Sequence, residues 1–236
     1  LPAFRKDHRE LNPASSMRLY SYILPTSNKG LFSVFLIWLV TISGIIGIAQ
    51  GMADWFLPKT PFNLLMGAGL LLWNFPPQRT WQGVATWAVV FLGGMLAETL
   101  GVQYGLLFGE YQYGVNLGPT LLGVPLLIGV NWMMTTFLTA YCSQVVFHEK
   151  WKASLLGALL MVLLDVLIEP VAPLLGFWYW DAGFAPLQNY VTWFVVGLGF
   201  QLLVHNRIPR AINALPAHHL ISQFIFFGFC YVLLYL

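Results

Sequence analysis

The stretch Leu31–Gln50, LFSVFLIWLVTISGIIGIAQ, carries no charged residue. Wound as a helix at about 1.5 Å per residue it is about 30 Å long, the thickness of a bilayer's hydrocarbon core. Apolar runs recur at about 61–75, 84–108, 124–147, 153–169, 186–204 and 219–236, of which 61–75 and 153–169 are the shortest. The pattern predicts an all-α polytopic membrane protein with about seven transmembrane helices. Composition agrees, because 58% of the residues are hydrophobic and only 8% charged, against about 25% charged in soluble domains. A net charge of +2 offers no basic surface for nucleic acid. Cys142 and Cys230 each sit inside an apolar run and read as packing residues.

The basic residues set the orientation. With the amino end inside, Arg5, Lys6, Arg9, Arg18, Lys29, Arg79, Lys150, Lys152, Arg207 and Arg210 fall on the inner side and only Lys59 on the outer, ten of the 11 Lys and Arg. This predicts a multi-pass protein of the cytoplasmic membrane with a basic inner segment, 1–30, and one transmembrane domain, 31–236. The first run is of spanning length and lacks an A-x-A exit, so no cleavable signal peptide is expected there.

Three carboxylates lie inside the runs: Glu98 in the third, Asp165 and Glu169 in the fifth. An ionised carboxyl near the bilayer centre costs roughly 2.5 to 3.5 kcal/mol on insertion scales, so function is the default reading of such groups. Both runs go from inside to outside, which places all three acids in the outer half. Asp165 and Glu169, four apart, share one helix face, and two carboxyls so close in low dielectric resist double ionisation; one keeps a proton and is a candidate general acid. The fourth and sixth runs bring Asn131 with Trp132, and Asn189 with Trp193, into the same layer. These amides either tie helices together or orient a water or carboxyl. The outer loops supply Tyr104, Tyr111, Tyr113, Trp178, Tyr179 and Trp180, which form an interfacial belt or a wall of π faces for a developing cation.

One pattern repeats. Phe108-x-x-Tyr111-x-x-Gly114 after the third run matches Phe177-x-x-Trp180-x-x-Gly183 after the fifth, and Pro125 precedes Trp132 by the same interval as Pro186 precedes Trp193. This reads as a duplicated helical hairpin.

Absences narrow the chemistry. His8, His148, His205, His218 and His219 lie near inner ends or loops without H-x-x-x-H or H-x-x-H-H spacing, which argues against a di-iron site, and no metal ligand set is expected. The His218–His219 pair reads as a solvated helix start. The sequence has no G-x-G-x-x-G after a strand, no Walker loop and no G-x-S-x-G elbow. Acid–base chemistry without a cofactor remains.

The residues Glu98-Thr99-Leu100-Gly101-Val102, Tyr104-Gly105, Phe108-Gly109-Glu110-Tyr111-Gln112-Tyr113-Gly114 and Gly123-Val124-Pro125, leading to Asn131-Trp132, resemble the CruF-type membrane carotenoid hydratases, which include the bisanhydrobacterioruberin hydratases. Asp165, Glu169-Pro170, Trp178, Trp180, Pro186, Asn189 and Trp193 follow in the order of that family, so the resemblance covers about residues 31–204. It implies acid-catalysed hydration of the terminal C1=C2 double bond of an acyclic carotenoid end group. Protonation at C2 leaves a tertiary cation at C1, and water captures it as a tertiary alcohol without a redox cofactor. On that reading Asp165 is the proton donor, Glu98 the water-orienting base or alternative donor, and Glu169 the partner that keeps one proton on the pair. Asn131 and Asn189 would place the water, while Trp132, Trp193, Trp178, Trp180, Tyr113 and Tyr104 would line the pocket. The implied partners are an acyclic or monocyclic carotenoid, water, membrane lipid and other carotenoid-pathway enzymes. Two alternatives stay open: a carotenoid end-group cyclase, which starts with the same protonation, and a proton-coupled transporter of a hydrophobic small molecule.

Overall fold

In the computed structural model, which describes residues 22–76 and 80–234, the first apolar run becomes α1 (Asn28–Ala49). Ser27 starts it by accepting the Gly30 amide at 3.0 Å, which satisfies one of the free amides of the first turn. The chain returns through the short turns Ala53–Phe56 and Leu57–Lys59 into α2 (Thr60–Asn74), then forms α3 (Trp81–Tyr104), α4 (Leu126–Val146), α5 (Lys150–Ile168), α6 (Leu187–Val204) and α7 (Leu215–Leu234). Thr80 caps α3 by accepting the Gly83 amide at 3.2 Å. Gly105 closes α3 in a left-handed conformation (φ 63°) that glycine adopts without a Cβ penalty, so the helix stops short of the apolar residues Leu106–Phe108. Pro125 and Pro186 precede α4 and α6, where a missing amide costs no helical hydrogen bond.

Six of these helices are long and apolar enough to cross a membrane: α1, α3, α4, α5, α6 with its extension to Arg207, and α7. The shortest of the seven, α2, has 15 residues and is about 22 Å long, below the spanning length. The protein is an integral, multi-pass, all-α membrane protein. Its α1 shows how the sequence sorts lipid from protein: Leu31, Phe35, Leu39, Ile42 and Ile46 are exposed, whereas the small residues Gly30, Ser33, Gly44 and Gly47 are buried. Small residues let helix backbones approach, and a Cβ at Gly44 would stand 3.3 Å from the Phe226 ring on α7. Helix α4 is central, with 72% of its apolar window buried inside the protein against 22% for α1.

Polar contacts gather the ends. Lys29 Nζ donates to the Trp73 carbonyl, Asn74 Nδ2 to Ser33 Oγ at 2.8 Å, and Asn213 Nδ2 to Asn74 Oδ1 at 3.2 Å. Gln144 Nε2 reaches the His205 carbonyl at 3.0 Å and the Tyr141 hydroxyl the Ala211 carbonyl at 2.7 Å. The starts of α1, α5 and α7 therefore share one end of the bundle, with Lys29, Lys150, Lys152, Arg207 and Arg210. Lys59 lies at the other end, over the Trp55 ring at 3.3 Å. Arg5, Lys6, Arg9, Arg18, Arg79 and His8, with residues 1–21 of the expected 1–30 segment, lie outside the described residues.

At the Lys59 end the loops form two short ladders. Strand β2 (Thr120–Leu121) turns tightly into β3 (Val124–Pro125), which delivers the chain to α4. Strand β1 (Tyr111–Tyr113), after α3, pairs antiparallel with β4 (Trp178–Trp180), after α5, in the register Tyr111↔Trp180, Gln112↔Tyr179 and Tyr113↔Trp178. The repeated loops thus meet each other, and the pair Tyr111 and Trp180 occupies the matching aromatic position of the two motifs.

Candidate active site

Side chains alternate along a strand, so Tyr111 and Tyr113 leave one face of β1 while Gln112 leaves the other. On β4, Trp178 and Trp180 likewise point inward and Tyr179 outward, as their burial shows. Four rings face the helices below. Glu98, buried on α3, takes both phenols on Oε2, from Tyr111 and from Tyr113 at 2.8 Å, and the Trp132 indole on Oε1 at 3.0 Å. Glu169, buried at the end of α5, takes Trp178 Nε1 at 3.0 Å and Trp180 Nε1 at 2.6 Å on Oε2, and Asn189 Nδ2 at 3.0 Å on Oε1. Each glutamate therefore meets three donors, which offsets the cost of holding a carboxylate away from water.

Asp165 is placed differently. It lies one helical turn before Glu169, is 3% exposed, and accepts from Asn189 Nδ2 at 2.8 Å on Oδ2. Asn189 thus spends one amide nitrogen on both acids of α5, which stand one helical turn apart. Burial, and then the charge of Glu98, push the Tyr111 and Tyr113 phenols well above their ordinary range, so both serve as donors.

Two chambers meet at this layer. The smaller, about 30 Å³, is lined by Glu98, Glu169, Asn131, Asn189 and the rings around them, and is of the size of a water. The larger, about 190 Å³ and mostly apolar, runs between α1, α2, α4, α5 and α7; Asp165 is the one of the three acids that lines it. Asn131, Ile128, Trp178 and Trp193 line both. A dry cavity of about 150 Å³ accepts benzene, so the larger chamber has room for a small apolar group. The two tryptophans stack with centroids 4.1 Å apart and planes 12° from parallel, Trp132 fully buried and Trp193 on the chambers' shared wall.

Of the residues singled out from sequence, Glu98, Asp165, Glu169, Asn131, Trp132, Asn189, Trp193, Tyr113, Trp178 and Trp180 come together here. Tyr104 does not join them: it is the last residue of α3, is 70% exposed, and lines neither chamber. Tyr111, read from sequence as a loop aromatic of the repeated motif but not as a site residue, is a direct partner of Glu98. His219, expected on a solvated helix start, is buried and lines the larger chamber, while His218 accepts from Trp38 Nε1 at 2.9 Å. Among the described residues, no three of His, Cys, Asp or Glu are grouped so as to hold a metal ion.

The sequence profile of a family described as carotenoid biosynthesis protein matches residues 60–235. The bisanhydrobacterioruberin hydratase of Haloarcula japonica is 31% identical over 181 residues, 71% of this chain and 61% of that protein. The chain therefore spans about 61% of the length of this curated relative. No solved structure matches it. Because the matched region runs from the start of α2 to the end of α7 and takes in every acid, indole, phenol and amide of the two chambers, the chain belongs to the carotenoid biosynthesis protein family.

Proposed function

We propose that the protein is a cofactor-independent hydro-lyase of the cytoplasmic membrane that adds water across the terminal C1=C2 double bond of an acyclic carotenoid end group. The observation that carries this reading is the division of the acids between the chambers: Asp165 faces the apolar one, Glu98 and Glu169 the water-sized one. The end group occupies the larger chamber, with the rest of the polyene in lipid. Asp165, sharing a proton with Glu169, gives it to C2 as the π bond breaks, which leaves the cation on C1. Trp193 and Trp178, on the shared wall, present π faces to that cation. Water in the small chamber, oriented by Glu98 and Asn131, forms the C1–O bond and releases a proton to Glu169. The Asp165–Glu169 pair thereby regains the proton it gave, and no net proton or electron is consumed.

Expression in cells that accumulate lycopene tests this. A mass gain of one water is expected, with oxygen from isotopically labelled water under anaerobic conditions. Label from oxygen gas would mean a hydroxylase; a rearranged product of unchanged mass would mean a cyclase; unchanged pigment that accumulates only by uptake would mean a transporter.

A further inference from the structure

The end of the bundle where α5 starts carries cations that no carboxylate answers. The last turns of α4 hold the 205–213 segment by its carbonyls, Gln144 Nε2 reaching His205 at 3.0 Å and the Tyr141 hydroxyl reaching Ala211 at 2.7 Å. Helix α5 begins at Lys150, four residues after α4 ends, and packs against the turn His205–Arg207. Lys150, Arg207 and Arg210 are thereby gathered on one side of this end. Glu149 is the single acid here among the described residues, and Lys152 takes it at 2.7 Å. Lys150, Arg207 and Arg210 have no carboxylate partner among the described residues. Apolar surface leads from these cations into the membrane. Arg207 ends the spanning segment Leu187–Arg207, and Leu203, Gly199 and Val195 precede it at intervals of four, all exposed. Such a row forms a ridge along the helix surface. A Cβ at Gly199 would meet nothing within 4 Å, so the ridge dips there, about 12 Å below Arg207. On α5, Trp151 is 70% exposed beside Lys150, an indole of the kind that settles at the headgroup level, with exposed Leu155 and Leu159 beneath it.

We infer that this surface is a binding site for an anionic phospholipid of the adjacent leaflet, its phosphate held by Lys150, Arg207 and Arg210 and one acyl chain lying along α6 in the dip at Gly199. The two parts of the site match the two parts of such a lipid. The phosphate supplies the negative charge that the three cations lack, and the chain covers helix surface that no side chain covers. None of the three cations, nor Gly199, lines either chamber, so the site is separate from the acids.

The full-length protein in neutral detergent is titrated with dioleoylphosphatidylglycerol, dioleoylphosphatidylcholine or inorganic phosphate. Bound lipid is counted by native mass spectrometry, and the thermal midpoint is followed beside it. Phosphatidylglycerol should bind about tenfold more tightly than phosphatidylcholine, raise the midpoint, and lose affinity as salt rises. Lys150→Gln, Arg207→Gln and Arg210→Gln should each weaken it about fivefold, the scale of one cation at a membrane surface, whereas Lys59→Gln at the other end should leave it unchanged. Gly199→Leu fills the dip and should weaken phosphatidylglycerol severalfold while the salt dependence is kept. Equal binding of the two lipids, or undiminished phosphatidylglycerol binding in the charge variants, would overturn the inference. An equal midpoint rise from inorganic phosphate would make this a site for a free anion, and full binding in Gly199→Leu would remove the acyl chain from it; either result rejects the lipid site. Should the half-buried Arg207→Gln fail to accumulate, Lys150→Gln and Arg210→Gln, both at exposed positions, decide the outcome.

Discussion

Tyr111 and Trp180 face each other across the β1–β4 ladder with ring centroids 5.0 Å apart, yet they serve different carboxylates, Tyr111 donating to Glu98 and Trp180 to Glu169 at 2.6 Å. A three-residue antiparallel pair is too short to be stable alone. Helices α3 and α5 hold its strands in place, and in return the ladder fixes where four donors stand over two acids. The separation of Glu98 from Glu169, and so the size of the water-sized chamber, is set by a loop–loop register rather than by helix packing alone.

Opening that ladder should therefore damage both acids at once. The Gly114 amide donates to the Phe177 carbonyl at 2.8 Å, and a Cβ at Gly114 would stand 2.3 Å from the Gly176 carbonyl oxygen, a backbone atom that cannot rotate away. Gly114→Ala is expected to cost about 1 to 3 kcal/mol, as overpacking does, and to lower the thermal midpoint in detergent by several degrees. Hydration should fall at least tenfold. An unchanged midpoint with wild-type turnover would mean the strands do not govern the site.

The two kinds of acid predict two kinds of variant. Asp165→Asn keeps the size and one Asn189 contact but removes the transferable proton, so product formation should drop by about 10² to 10⁴ while the protein inserts and folds. Glu98→Gln sets a neutral amide against two phenols and an indole; at least one buried donor is left unmatched, at about 1 to 3 kcal/mol. That variant should lose stability as well as rate. Pigment analysis beside thermal melts of both variants separates the roles, and wild-type turnover in folded Asp165→Asn would remove Asp165 as donor.

A pH effect on stability follows from the phenols. Burial and the Glu98 charge raise Tyr111 and Tyr113 above the usual tyrosine range in the folded protein. In the unfolded chain they titrate near pH 10. The folded state therefore binds more protons above about pH 10, and stability should be fully present below that value and decline as pH rises through it. Melts at pH 9 to 11 check the sign. The double variant Tyr111→Phe, Tyr113→Phe should be less stable at pH 9 and show a shallower decline; an identical slope would place the phenols in water.

Much of this arrangement was legible beforehand, and the exceptions have physical causes. Uncharged runs mark helices because only helices satisfy their own backbone in lipid, and the acids stood out because ionised groups are costly there. The end of α3 was misplaced because Leu106–Phe108 are as apolar as the helix, and only the left-handed Gly105 tells them apart. Tyr104 and Tyr111 look alike as loop aromatics. The usable signal was the alternation Tyr111-Gln112-Tyr113, which marks a strand with one aromatic face. His219 was illegible, since its burial depends on Gly67 in a helix remote in sequence.

The last test concerns the tryptophan pair. Trp132 is fixed on two sides, by its hydrogen bond to Glu98 and by Gly94, where a Cβ would stand 2.6 Å from the indole. Trp193 stacks on it at 4.1 Å and lines both chambers, so it meets the C1 cation in the proposed reaction without holding an acid. A desolvated cation–π contact contributes about 2 kcal/mol, and each 1.4 kcal/mol is about tenfold in rate. Trp193→Leu should thus lower kcat roughly 30-fold with KM little changed, because the cation exists only along the reaction path, and Trp193→Phe should recover a good part. A loss confined to KM would make Trp193 a wall for the bound end group and place cation stabilisation elsewhere, with Trp178 the next aromatic on the shared wall.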